Sequence, residues 1–500
     1  MTQRRRAQIV LVAILALACL LRLYHLRNPV LDHPAWRQGD EAAIARNFLQ
    51  LQNNILYPQT DYNGPPPNYA ELELQIVPYA AAQLYHAFGV HEVIGRLIVI
   101  AFSVGTVGLI FLLGAELFGR QAGLLAAFFF AVAPGAVYYG RTFAPESGML
   151  FFSTAVLLFW SRWLRRRAAP DFVLALVCAV LAWLAKPPAL LLLLPLTAAS
   201  AAAWRGRFWR ELSFYAFIAF SLTPFLLYYA HLRSIAEWHF ASGIAAKHVL
   251  PQLRLELTQP AALARGLQGT LALMRMLSTT ILGPALFGLA LAGWFALPRD
   301  GAGAVQHRWF LRAWLFALSA YALIVVNVER VDYYLLPFLP FAALVAGAAL
   351  QTVWVRLGWN TLGLRSTVTL ALAAFLMTYS NMLEIHAYYT WSRAVYSAAK
   401  ELDRSLDPNA LVVVGHYSPA LLYTLGRKGW EEDVLLWNVH DMTSAIGKGA
   451  RYFIAVEVPR FKANKALYRF MQRYRRVRTA SGWQVYDMHH FAAPARRAGP

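Results

Sequence analysis

The sequence predicts a polytopic α-helical membrane protein that ends in a small α/β domain. Its 500 residues are 58% hydrophobic and only 14% charged, whereas a soluble domain carries about 25% charged residues. Apolar runs recur along the chain, and many reach the roughly 20 residues that cross a bilayer. After residue 383 the apolar runs shorten to the lengths of buried strands and short helices.

The first run, 8–24, follows Arg4, Arg5 and Arg6. No small-residue cleavage site follows it, so it reads as a retained helix rather than a signal peptide. Further spans are expected at 93–115, 121–139, 147–164, 171–185, 188–204, 211–230, 277–297, 310–327, 334–351 and 366–383, which makes about eleven in all. The break between 171–185 and 188–204 is carried only by "AKPP". The connections alternate in charge. One side holds Arg4 to Arg6, Arg120, Arg162, Arg165 to Arg167, Arg205, Arg207, Arg210, Arg299, Arg308, Arg356 and Arg365, and the other only Arg141, Lys186 and Arg330. Positive charge collects in cytoplasmic loops, so the N-terminus is expected in the cytoplasm. The loops 25–92 and 231–270 and the tail 384–500 are then expected outside. This placement accounts for the net charge of +20 without a nucleic-acid partner. Cys19 and Cys178 lie in apolar runs, so no disulfide framework is available. No repeat marks the inverted halves of a transporter.

In the tail, "ALVVVGH" and "ARYFIAVEV" read as buried strands and "WQVYDM" as a final strand. "SPALLYTLG" reads as a helix closed by a glycine, and "RFKANKALYRFMQRY" as another helix. The chain is thus expected to divide into a transmembrane domain, 1–383, and an extracytoplasmic α/β domain, 384–500.

The first outer loop carries "HPAWRQGDEAAIARNF", residues 33–48. From Gly39 onward the spacing is helical, with Ala42, Ile44, Ala45, Phe48 and Leu49 on one stripe. Asp40 and Glu41 then fall in the first turn, where the helix dipole favours negative charge. An interfacial helix with an acidic start is one reading. A functional cluster is the other, because His33, Trp36, Arg37 and Asp40 exceed what an N-cap needs.

This stretch resembles the first-loop motif of GT-C membrane glycosyltransferases, the class of the protein O-mannosyltransferases and the lipid A aminoarabinose transferases. The resemblance continues through "NGPPPNYAELELQIVPYAAAQLYHAFGVHEVIGRL", "ELFGRQAGLLAAFFFAVAPGAVYYGRTFAPESGMLFF" and "DYYLLPFLPFAALVAG", over roughly residues 5 to 350. No motif in the tail matches. The resemblance implies a GT-C-like fold in a bacterial inner (plasma) membrane and a polyprenyl-phosphate-linked sugar donor used on the outer face. It implies that Asp40 is the central carboxylate and that Glu41 completes an acidic pair. Pro145-Glu146 stands where relatives often have Pro-Asp. Asn63-Gly64 stands where some have Glu-Lys, so that lysine is missing and Glu71 or Glu73 becomes the candidate acid there.

The chemistry gives each group a task. An acceptor hydroxyl loses a proton as it attacks, and Asp40 is the candidate base, with Glu41 and Glu73 as further catalytic candidates. The leaving phosphate needs positive charge, from Arg37, Arg141, Lys186 or Arg330 at outer helix ends, or from a divalent cation. Asp40 and Glu146 are the candidate ligands of such a cation, and hard oxygen donors suit magnesium or manganese. Tyr333 and Tyr334 are donor-cavity candidates. The four cations can also be interfacial anchors, and the tyrosines an aromatic belt. His33, His231, His239 and His248 have no convincing zinc-ligand spacing. The expected function is polyprenyl-phosphate-dependent sugar transfer, inverting at the anomeric carbon, to an unidentified glycan, lipid or protein. A lipid-linked sugar flippase and a non-enzymatic envelope-binding protein remain alternatives. The expected spans are nearly free of charge at their centres, which a headgroup pathway would not be.

Overall fold

The computed structural model describes residues 3–296, 304–356, 364–477 and 479–492. Each expected span is helical. The eleven helices are Gln3–Leu23, Glu92–Phe118, Arg120–Val132, Glu146–Arg166, Ala169–Ala185, Leu193–Trp204, Leu212–Ile235, Pro284–Ala296, Ala304–Tyr321, Phe338–Arg356 and Leu364–Ile385. Among the described residues seven helices are long and apolar enough to cross a membrane, and a bent pair makes an eighth; Arg120–Val132 and Ala169–Ala185 are shorter apolar helices. The chain is an integral membrane protein.

Proline explains the shorter pieces. The run expected at 121–139 is divided at Ala133, because Pro134 opens a separate turn, Pro134–Tyr138. Lys186 is extended before Pro187, and a 3-10 stretch, Pro187–Leu192, carries the chain into the next helix. The residue before a proline is pushed out of the helical region, so "AKPP" separates two helices as expected. The run expected at 277–297 is corrected. It is two helices, Pro260–Ile281 and Pro284–Phe295, bent by 113°. Gly283 makes the bend with φ +78°, a conformation that a side chain disfavours.

The region expected as a long loop at 231–270 is also corrected. It contains helices Leu250–Thr258 and Pro260–Met276. Leu250, Leu257, Leu263, Leu267 and Leu271 are exposed on them, as suits a helix lying against lipid. Within the bundle, glycines bring backbones together. A Cβ on Gly114 would lie 2.9 Å from the Cα of Gly123, and one on Gly347 would lie 2.6 Å from the carbonyl of Ala122. Three helices pack closely through small residues, as membrane helices do.

The connections 25–92, 138–146, 185–187 and 331–334 gather at one end of this bundle. Leu74 N–H donates to Leu184 O (2.8 Å), Arg141 pairs with Asp32, and His33 lies 3.3 Å from Asp332. Two short strands, β1 (Ala70–Glu71) and β2 (Trp238–His239), pair in parallel there.

The C-terminal sheet has strands β3 (Leu411–Val414), β4 (Gly429–Glu431), β5 (Ala450–Ala455), β6 (Tyr474–Val477) and β7 (Gln484–Phe491), in the order β4-β3-β5-β7-β6. β3 is parallel to β4 and β5, and β7 is antiparallel to β5 and β6. The expected strands and the helix Pro419–Leu425 are present, the helix closed by Gly426 at φ +64°. β4 and β6 and the helices Arg393–Ser405 and Val439–Gly447 are additions. "RFKANKALYRFMQRY" forms two short helices, Val458–Ala463 and Lys465–Met471, because Asn464 caps the second by accepting from Leu467 N–H.

The C-terminal sheet unit docks on the loop 25–92. A Cβ on Gly39 would lie 2.3 Å from the Cα of Ala420, so only glycine admits the helix Pro419–Leu425 there. Beside it, Asp61 accepts from Arg46, from Asn47 (3.1 Å) and from Lys428 (2.9 Å). Burial opposes ionisation of Asp61, but Arg46 and Lys428 outweigh it and hold the carboxyl below its ordinary pKa. Gly64 N–H donates to Gly429 O (2.7 Å) and Gly429 N–H to Asp61 O (2.9 Å).

Candidate active site

The helix that carries the motif spans Ala35–Gln50 and starts earlier than Gly39. Asp40 and Glu41 therefore lie in its second turn, outside the first-turn dipole effect. Nor is the helix interfacial. Residues from Arg37 to Ala45, and Asn47 and Phe48, are buried, because the bundle covers one side and the C-terminal sheet unit another.

Helical spacing sets the charges against each other. Arg37 lies 3.9 Å from Asp40 and 2.9 Å from Glu41, and it also pairs with Glu73. Glu41 and Glu73 are thus counter-ions of Arg37. Asp40 is fully buried, with Arg37 as its cation and the Tyr62 hydroxyl as its hydrogen-bonding neighbour. Burial, only partly offset by Arg37, pushes its pKa up to about 7. Burial likewise raises that of Glu41.

Arg37 also lines a cavity of about 500 Å³. Its polar wall includes Glu71, Glu73 and Lys186, and its apolar wall includes Trp36, Leu190, Leu191, Val249 and Val325, with Tyr333 and Tyr334 closing it. Lys186 Nζ lies 4.9 Å from the Tyr333 ring centre and 5.1 Å from that of Tyr334, within cation–π range. Its ion-pair partner is Glu146. The extended backbone of Lys186 before Pro187 presents the ammonium at this helix end. One cavity thus offers two cations to a headgroup and an apolar flank to a chain.

Two expected phosphate ligands are not in this cavity. Arg141 is fully buried and pairs with Asp32, which Arg96 also binds at 3.1 Å. Gln38 completes the network by donating to Asp32 (2.6 Å) and accepting from Arg96 (3.0 Å). Arg141 therefore braces the first loop. Arg330 has a left-handed backbone, φ 49°. Its guanidinium donates to Asn327 O (3.1 Å) and faces Gly269. It lies against the helix Pro260–Met276, away from the cavity lining.

Asp40 and Glu146 were expected to share a cation. Among the described residues no three histidine, cysteine, aspartate or glutamate side chains converge as a metal-binding group. Glu146 is held by Lys186 instead, so the donor set does not fit a resident metal.

Sequence reading missed Asp32, Arg96, Tyr62 and Glu431. Asp32 carried a signal, an acid directly before the motif. Glu431 carried none, because only the docked sheet brings it near Asp40.

The fold is that of the GT-C membrane glycosyltransferases. Residues 75–229 match the family model described as dolichyl-phosphate-mannose-protein mannosyltransferase. Among solved structures, ArnT from Cupriavidus metallidurans bound to undecaprenyl phosphate aligns with a TM-score of 0.63 at 15% identity, over 98% of this chain and 99% of that one. The archaeal oligosaccharyltransferase AglB from Archaeoglobus fulgidus, in complex with an inhibitory peptide and a dolichol-phosphate, aligns at 0.59 and 15%, over 93% and 72%. An Archaeoglobus fulgidus oligosaccharyltransferase in complex with Zn and sulfate aligns at 0.61 and 16%, over 93% and 71%. At such identities the likeness is one of fold. No curated protein matches the chain.

Proposed function

We propose that this chain is an integral-membrane glycosyltransferase that moves a sugar from a polyprenyl-phosphate donor to an acceptor hydroxyl, with Asp40 as general base. The observation that carries this is a fully buried carboxylate whose pKa burial pushes up to about 7, on the same helix as Arg37, which opens with Lys186 onto one largely apolar cavity. The structural neighbours' ligands, undecaprenyl phosphate and a dolichol-phosphate, support a donor of this class.

The donor's lipid chain leaves the cavity among the helices, and its phosphate meets Lys186 and Arg37. Tyr333 and Tyr334 hold the Lys186 ammonium at the headgroup level. The acceptor oxygen attacks the anomeric carbon while its proton passes to Asp40. The bond from that carbon to the phosphate oxygen breaks, and its electron pair leaves with the phosphate. Lys186 and Arg37 stabilise that charge. Attack opposite the leaving phosphate inverts the configuration. No step requires a metal. The scarcity of arginine in the short connections at the site's end of the bundle supports a site on the outer face. The N-terminus is then cytoplasmic, the C-terminal domain, 384–500, extracytoplasmic, and the membrane a bacterial inner membrane.

The test is transfer of radiolabelled sugar from polyprenyl-phosphate donors by the full chain in lipid nanodiscs. Asp40→Asn keeps the volume and removes the base, and the expected loss is about 10²–10⁴ in rate. A correctly folded Asp40→Asn variant that still transfers sugar within about a few-fold of wild type would remove Asp40 from the mechanism.

A further inference from the structure

The C-terminal sheet buries both of its faces. Val412, Val414, Tyr452 and Ile454 pack with the helix Pro419–Leu425 and with Tyr62 and Leu31 of the loop 25–92. Val413, Phe453, Ala455 and Tyr486 face the other way, where Phe461, Leu467 and Met471 cover them. Successive residues of a strand alternate between faces, so the helices Val458–Ala463 and Lys465–Met471 form the layer turned away from the loop and the bundle. From Val458 to Tyr486 the chain has eight lysines and arginines and no acid. Arg460 is neutralised by Asp433 and by Glu457 (3.4 Å), and Arg475 by Asp487 (3.3 Å). Lys462, Lys465, Arg469, Arg473 and Arg476 are exposed, and among the described residues none has an ion-pair partner. Lys465 and Arg469 are four apart on one helix and share a side. Arg476 stands opposite Tyr486 in the β6–β7 ladder, so it points to the same outer layer. Elsewhere in the unit Lys400, Arg427, Lys428 and Arg451 each meet a carboxylate. Rings flank the unpaired cations. Arg473 lies 5.5 Å from the Phe470 ring centre. Phe491, 75% exposed, stacks on Tyr474 with ring centres 5.4 Å apart and planes 15° apart.

We propose that this outer layer, with Lys465, Arg469, Arg473 and Phe491 at its centre, is a docking surface for an anionic glycan, a sugar chain that bears carboxylate or phosphate groups. Unpaired cations set this close repel one another, and an anionic chain laid across them turns the repulsion into attraction. A guanidinium takes a carboxylate or phosphate through two parallel N–H bonds. An exposed ring offers a flat apolar face to the C–H side of a sugar ring. An acidic peptide would instead add to the free edge of β6. The β6–β7 register slips between Tyr474 and Arg475, and charged side chains on an edge strand oppose such pairing. The lipids of the membrane that holds the bundle lie on the other side of the sheet. The surface is therefore separate from the donor cavity and serves attachment, not transfer. The choice of a glycan over a nucleic acid rests on the proposed outer placement of residues 384–500.

The experiment uses the full chain in nanodiscs of zwitterionic lipid, with polygalacturonate as the anionic glycan, dextran as a neutral one and polyglutamate as an acidic peptide. The wild type should bind polygalacturonate, more weakly as salt rises, and should not bind dextran. Reversing three cations together, Lys465→Glu, Arg469→Glu and Arg473→Glu, should lower that affinity at least about tenfold, because three exposed ion pairs become repulsions. Phe491→Ala should lower it by about threefold, the scale of one ring contact, and leave polyglutamate unaffected. All four positions are exposed, so both variants should keep the wild-type melting temperature. Their affinity for undecaprenyl phosphate should stay within about twofold, because distant sites act independently. Polygalacturonate bound as tightly by the triple variant as by the wild type would overturn the surface and leave the outer placement standing. Polyglutamate bound more tightly than polygalacturonate, with Phe491→Ala weakening neither, would overturn the glycan in favour of an acidic peptide. A reporter fused after Pro500 and active only in the cytoplasm would overturn the outer placement, and the glycan with it, whatever the binding.

Discussion

Glu146→Gln should tighten the binding of a polyprenyl phosphate. Glu146 is nearly inaccessible and pairs with Lys186, so an incoming phosphate must take the ammonium from it. A hydrogen bond to a charged group contributes about 1.5–3 kcal/mol net. At 1.4 kcal/mol per decade, removing the competitor should raise affinity for undecaprenyl phosphate about 10- to 100-fold. The free variant should be less stable, because stripping one partner from a buried pair costs about 3–5 kcal/mol. Its thermal shift on adding ligand should therefore exceed that of the wild type. The assay is titration of the chain in nanodiscs with undecaprenyl phosphate, read by binding and by melting temperature. If Glu146→Gln weakens binding tenfold or more, Glu146 is itself a ligand-holding group and the counter-ion argument is wrong.

Lys186→Met should lower undecaprenyl phosphate affinity by at least about tenfold, the loss of one charged hydrogen bond. Arg330→Met should leave it within about twofold, since that side chain faces Gly269; the same titration checks both. Gly39→Ala drives a methyl into the backbone of Ala420 and should cost about 1–3 kcal/mol of stability. It should also expose the linkage between the C-terminal sheet unit and the first loop to limited proteolysis, and unchanged protection would refute the docking role.

The sequence made the membrane helices legible because lipid demands long apolar runs, and it marked their ends with proline. It concealed Leu250–Thr258 and Pro260–Met276, whose polar residues Gln252, Arg254, Glu256 and Arg265 lower the mean hydropathy of helices that still expose a row of leucines. β4 spans three residues and is too short for a pattern, and "YRRV" in β6 is an edge strand whose two adjacent arginines are both exposed, which breaks the alternation of a strand. At the site, the resemblance singled out Asp40 and Glu146, and the rarity of cations at one end of the bundle singled out Arg37 and Lys186. The same rule misassigned Arg141 and Arg330, because sequence gives the level of a side chain along a helix and not its direction. Arg141 turns to Asp32, which stands 109 residues earlier in the chain.

The same charge balance sets the expected pH dependence. Near the cavity, Arg37 is neutralised by Glu41 and Glu73 and Lys186 by Glu146, which leaves Asp40 as the acid with the weakest claim on a cation, at 3.9 Å. Burial pushes its pKa to about 7, above the ordinary aspartate value. A group raised in this way favours the folded state below its unfolded pKa and loses that contribution as pH rises through about 7. Asp40→Asn should therefore raise the melting temperature, and more at pH 8 than at pH 5. Catalysis has the opposite sense, because the base must be ionised. The kcat/KM should fall tenfold per pH unit below about 7. A bound phosphate adds negative charge beside Arg37 and weakens its hold on Asp40, so the donor complex should titrate higher than the free protein. The midpoint of the kcat profile, which reports the complex, should lie above that of kcat/KM. Coinciding midpoints, or a kcat/KM flat between pH 5 and 8, would mean that Asp40 does not take the proton.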